Sequence, residues 1–262
     1  MEWKALSARI SLFPTAASSL PNLSAMTLFR SLWKTDPDNF QKHNNPLVPS
    51  VASGKINDLN MSCSIQPSRL DINIAPVIGE DNASFYLIED MSSLRQELGR
   101  LISLLETERL LVSAARVALN LHVLVPQQSV RDANSTLMGI IPTRYGLRLW
   151  NEQDFFLQLN LPYKSTHLPD VEMNLITQWI ASKFQKMRIA ISGDLASSVT
   201  QTTTALDPEP MIASSVVFDI NSLPGQMEFD PEQQTMLLSE AASNMWEKIM
   251  EMGLMVGESQ SL

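Results

Sequence analysis

Cysteine is almost missing from the 262 residues: Cys63 stands alone, so no disulfide can form within the chain. That excludes a small disulfide-stapled scaffold and fits a reducing compartment. The nine glycines are scattered and build neither a phosphate-cradling loop nor a collagen repeat. No apolar run approaches the roughly 18 residues that a membrane-spanning helix needs. The start, Met1-Glu2-Trp3-Lys4, lacks the apolar stretch and small residues of a signal peptide. Positive charge is also short, 19 Lys+Arg against 28 Asp+Glu, for a net charge of −9. A general nucleic-acid binder, whose affinity comes from neutralising phosphates, is therefore not expected. The chain reads as cytoplasmic, with no membrane contact.

What is present is material for a core. Hydrophobic residues make up 44% and charged residues 18%, which excludes a wholly disordered chain. Leu6, Ala8, Ile10 and Leu12 alternate with Ser7, Arg9 and Ser11, a period of two that predicts a half-buried strand stopped at Pro14. Ser24 can cap a short helix striped by Leu28, Phe29, Leu32 and Trp33. Residues 41–60, rich in Asn, Pro, Ser and Gly, read as a long surface loop. Met61, Cys63 and Ile65, then Leu70, Ile72 and Ile74, predict a hairpin turning at Pro67. A short strand over 84–88 follows. Ser93 and Gln96 have capping-box spacing before a helix with Leu94, Leu98, Leu101, Ile102 and Leu105 on one face.

The second half opens with a stronger strand, Ala115, Val117, Leu119, Leu121, Val123 and Val125 on one face, closed by Pro126. Val130, Ala133 and Leu137 mark a short helix ending at Gly139. Tyr145, Leu147 and Leu149, then Phe155, Leu157, Leu159 and Leu161, predict a hairpin around 151–154. Residues 173–191 mix helical and strand periodicities and read mainly as strand, broken near 181–185; 197–213 reads as a polar loop. Val216, Phe218 and Ile220 give one more strand. The last helix starts with Asp230 as cap, Pro231 at its first position and Gln233 completing a capping box. Within 154–191, the Phe-x-Leu-Gln-Leu-Asn run and the later Asn-Leu-Ile-x-x-Trp resemble segments of bacterial proteins of similar length. The resemblance carries no site residues and implies only a bacterial or phage source.

Both halves then have one element order: strand, short helix, antiparallel strands, long amphipathic helix. The expected fold is α+β, mainly antiparallel sheet backed by two long amphipathic helices, with a pseudo-duplicated β-α-β-β-β-α arrangement. The lobes would be 1–108 and 109–262, free to merge into one continuous domain. Ala8-Arg9-Ile10 and Ala115-Arg116-Val117 are the matching steps in the two opening strands. A sheet with helices on one face leaves its other face for a partner.

No Cys-x-x-Cys pair, Gly-x-Ser-x-Gly elbow or helical His pair is present, so no metal, cofactor or nucleophile is assigned. Glu2-Trp3-Lys4 has the Glu-x-Lys form of a nuclease strand but lacks the preceding acidic residue. Of His43, His122 and His167, only His122 falls on a strand face, where Arg116 and Asn120 point the same way. Five cations offer an anion or partner contact: Arg144, Arg148, Lys183, Lys186 and Arg188. In the last helix Met245, Trp246 and Met250 are adaptable enough to serve a partner. Such a chain reads as a non-catalytic protein-binding or assembly subunit, its partner another protein or itself. Two alternatives stay open: a metal-dependent hydrolase or nuclease working through the His122 face or scattered acids, and an accessory protein with a local nucleic-acid contact through Lys183, Lys186 and Arg188.

Overall fold

A computed structural model describes residues 2–15, 24–42, 49–78, 85–107, 113–142, 154–184, 187–193, 199–205, 210–225 and 227–255. Strand β1 (Lys4–Pro14) and strand β6 (Ala114–Gln127) run antiparallel at the middle of the sheet, with Arg9 opposite Asn120. Beyond β1 come β5 (Arg69–Pro76), β4 (Leu59–Gln66), β3 (Ser50–Ile56) and β2 (Asn39–Gln41). Beyond β6 come β11 (Met211–Ser222), β8 (Glu172–Phe184) and β7 (Phe155–Lys164). All nine strands pair antiparallel. Strands β9 (Met187–Gly193) and β10 (Val199–Ala205) pair with each other as a separate ribbon.

Outward from the centre the two halves repeat one order: first strand, last strand, then the preceding ones in reverse. The core ladders match as well. Leu12, Ile10 and Ala8 pair with Leu70, Ile72 and Ile74, while Val123, Leu121 and Leu119 pair with Val216, Phe218 and Ile220. This register sets Ala8-Arg9-Ile10 on Leu119-Asn120-Leu121. The Ala-Arg-aliphatic match to Ala115-Arg116-Val117 is thus four residues out of step with the ladders. The ribbon is the main difference: it fills the connection between β8 and β11, where β4 turns into β5 through Pro67-Ser68 alone.

Four helices pack against the sheet, α1 (Ala25–Trp33), α2 (Met91–Thr107), α3 (Val130–Ile140) and α4 (Pro231–Glu251). Their buried faces join the inward positions of β1, β4, β5, β6, β8 and β11 in one core, with α2 against α4. The final helix starts as its sequence predicts: Asp230 accepts from Gln233 N at 2.8 Å, and the Gln233 side chain accepts from Asp230 N at 3.1 Å. None of the described helices is long and apolar enough to cross a membrane.

Several local expectations are corrected. The loop expected over 41–60 contains β3 and the start of β4, joined by a tight turn with Asn57 at φ 55°. Strand β3 lacks an alternating pattern because it packs through Ala52 and Gly54 rather than through large side chains. A Cβ on Gly54 would lie 3.1 Å from both Phe29 Cζ and Asp38 N, so glycine is what lets the strand approach α1. The polar stretch 197–213 contains β10 and the first residues of β11; its threonines favour strand over loop. Helix α2 is capped not by Ser93 but by Asp90, whose carboxylate accepts from Ser92 N and Ser93 N at 2.8 and 3.1 Å. Helix α3 runs through Gly139 to Ile140, and β8 is unbroken to Phe184. The strand expected over 84–88 is, in its described part, a single bridge from Ile88 to Ala5. A bulge between Ala5 and Ser7 shifts the phase of β1, burying Ala5 in place of Leu6. The expected Tyr145–Leu149 strand and its turn lie outside the described residues; β7 pairs with β8.

Candidate functional site

Side chains alternate across a strand, so the residues between the core positions project from the opposite side of the sheet. Among the described residues, no helix packs there. Pairing aligns these residues into polar rows, one residue per strand at about 4.8 Å spacing. One row crosses five strands as Ser62, Asn73, Arg9, Asn120 and Asp219. The next runs Ser64, Asp71, Ser11, Ala118, Asn221 and Asn174. A third begins Ser7, His122, Val217, Gln178 and Gln158.

Hydrogen bonds tie much of this face together. Asn160 donates to Asn174 at 3.0 Å, Asn174 to Asn221 at 3.4 Å, and Asn221 to the Asp219 carboxylate at 3.0 Å. On the far side of the centre, Ser11 Oγ donates to Asp71 at 2.5 Å and Arg69 Nε to the same oxygen at 2.8 Å. Both carboxylates of the central rows are therefore engaged within the chain.

The cations divide differently. The guanidinium carbons of Arg69 and Arg116 lie 5.5 and 5.2 Å from the centre of the Phe13 ring, within cation–π range. Arg69 has Asp71 as counter-charge. Arg116 has no hydrogen bond among the described residues, and its Nε is buried; Arg9 Nε is in the same position. His122 Nε2 is buried without a hydrogen bond, beside Phe184 at 6.0 Å between ring centres. Burial pushes the imidazole down to about 4, so it is neutral at neutral pH.

Arg116, Asn120 and His122 thus share one face, as the strand pattern predicts. Pattern reading missed Arg9, Arg69, Phe13 and Asp219. The alternation in β1 displayed Arg9 as polar-facing, but only cross-strand register sets Phe13 against Arg116. The other cations are not gathered there. Lys183 is exposed near the end of β8, opposite Ile212; Arg188 lies on β9 opposite Thr204; Arg144, Arg148 and Lys186 lie outside the described residues. The methionine stripe expected to serve a partner is corrected: Met245 and Trp246 are buried in the core, with Arg95 5.9 Å over the Trp246 ring. Met250 stays exposed, as does Met236 nearer the start of the helix, while the rest of the face turns toward the sheet and α2.

A cavity of about 540 Å³ lies on the helix side, lined by Ile140, Leu159, Leu175, Trp179 and Met252. Its charged lining residues, Lys248 and Glu251, pair with each other at 2.6 Å. The cavity and the polar rows are on opposite sides of the sheet; among the described residues, Trp179 Nε1 in the cavity lining is buried without a hydrogen-bond partner, as are nitrogens of Arg9, Arg116 and His122 on the other face. Compared with known proteins, the chain matches no family model, no curated protein and no solved structure.

Proposed function

We propose that the protein is a non-catalytic docking subunit of a multiprotein assembly, taking its partner on the helix-free face of the sheet. One observation carries this reading: Arg9, Arg116 and His122 present buried nitrogens that find no hydrogen-bond partner among the described residues. Buried polar groups in folded proteins are nearly always paired, and leaving one unpaired costs about 1–3 kcal/mol. A partner laid across the rows supplies the missing acceptors. The carboxylates there are already committed to Arg69, Ser11 and Asn221, which supports binding over acid–base chemistry.

The test places an obstacle in the middle of the face. Ala118→Trp adds bulk between Ser11 and Asn221 without touching the core ladder. Light scattering and affinity isolation from the native cell give a complex with the wild type, and the variant, folded by circular dichroism, loses it. A wild-type monomer without a specific partner, or a complex indifferent to Ala118→Trp, sinks the proposal.

A further inference from the structure

We infer that the partner presents a carboxylate to Arg116, so that the helix-free face reads an acidic protein segment; this rests on the docking role proposed above. The sheet itself holds the template. Phe13 carries a guanidinium on each of two sides: Arg69 is neutralised by Asp71, and Arg116 has no counter-charge among the described residues. Two like charges stand against one ring, and among the described residues only Arg69 has an acid beside it.

The ring also holds the Arg116 side chain in place before the anion arrives, so less side-chain freedom is lost on binding. A planar guanidinium with its fork unused matches a carboxylate through two parallel hydrogen bonds. Arg9 stands on the same face and widens the contact to a second acidic residue.

Charge distribution points to the same partner. Across the central strands β5, β1, β6 and β11, this face carries Arg9, Arg69 and Arg116 against Asp71 and Asp219. Described acids cluster instead on the helices and their connections, among them Asp36, Asp90, Glu97, Asp132, Glu232, Glu247 and Glu251. A chain of net charge −9 therefore turns a locally cationic face outward, complementary to an acidic segment. A nucleic acid fits less well. Three cations neutralise few phosphates, too few to hold a long phosphate backbone.

The experiment uses the full chain, ¹⁵N-labelled, titrated with a hexaglutamate peptide while the arginine Nε–H resonances are followed. The Arg116 resonance, assigned by its loss in Arg116→Lys, shifts to saturation, and Arg116→Gln weakens the peptide by about tenfold. Arg131→Gln, on the exposed side of α3, leaves it unchanged. Absence of a shift at Arg116, or equal weakening by Arg131→Gln, overturns the inference. So does tighter binding of inorganic phosphate or single-stranded DNA at the same resonances, which assigns the face to phosphate. In the native complex the two ideas separate: if Ala118→Trp dissolves it and Arg116→Gln does not, docking stands and the carboxylate contact falls. If neither variant dissolves it, both fall.

Discussion

Arg69 and Arg116 rest on one phenylalanine yet differ in what the fold gives them, and their substitutions should differ accordingly. Asp71, 7% exposed, holds Ser11 and Arg69. Asp71→Ala leaves that guanidinium and hydroxyl without their acceptor and should cost about 2 kcal/mol in urea unfolding. Arg116→Gln removes no intramolecular hydrogen bond among the described residues, only the cation–π contact with Phe13, and should cost about 1 kcal/mol, so a complete loss of partner binding there would not be a loss of fold. His122 gives a pH signature. Its folded value of about 4 lies below the ordinary 6.5 because burial disfavours the charged ring. As pH falls the unfolded chain takes the proton first, so stability present above pH 6.5 is lost progressively down to about pH 4, roughly 3 kcal/mol in full. Urea unfolding at pH 7 and pH 4.5 should show a steeper decline for the wild type than for His122→Gln; parallel declines would remove His122 as the cause. At this scale the sequence was half legible. Arg116, Asn120 and His122 could be placed on one face by counting in twos, but a ring shared by Phe13, Arg69 and Arg116 joins three strands and has no local signature.

Elements with strong periodicity or caps were readable, and those made by close approach were not. The capping box of α4 is seen in full, whereas at α2 an adjacent acid, Asp90, takes the role expected of Ser93. Asp90→Ala should therefore destabilise by about 1 kcal/mol and Ser93→Ala by much less; thermal melts of the two single variants decide it. Strand β3 escaped notice for a physical reason. Its packing depends on the absence of a side chain at Gly54, and absence leaves no hydrophobic period to count. Gly54→Ala would press a methyl group against Phe29 and the Asp38 backbone, and should lower the melting midpoint, with α1 and β3 losing amide-exchange protection together. The threonine-rich β10 was missed differently: its polarity looked like loop, although branched side chains suit a pleated ribbon.

Across the whole molecule the two-lobe reading and the single sheet meet at β1 and β6, whose pairing runs from Lys4–Leu124 to Pro14–Ala114. Cutting between 108 and 109 would expose two long unpaired strand edges. The halves should accordingly unfold as one unit. Tryptophan reporters at Trp33 and Trp179 should give coincident urea transitions, and Leu121→Ala, fully buried at the junction, should move both by the same 2–5 kcal/mol expected of a large-to-small core change. Separate transitions would make the lobes independent domains. The repeated element order was visible in the sequence, but the true correspondence was not, because it resides in ladders such as Ile10–Ile72 and Leu121–Phe218 and not in shared residues. The unequal connections have a last consequence. A plate with two like halves would let a binding chain lie across it in either direction. In chain order the ribbon of β9 and β10 falls between β8 and β11, whereas β4 and β5 are joined by Pro67-Ser68 alone. The two halves of the plate therefore differ at this connection, so a partner lying across both, as proposed, would not meet the same surroundings in each direction.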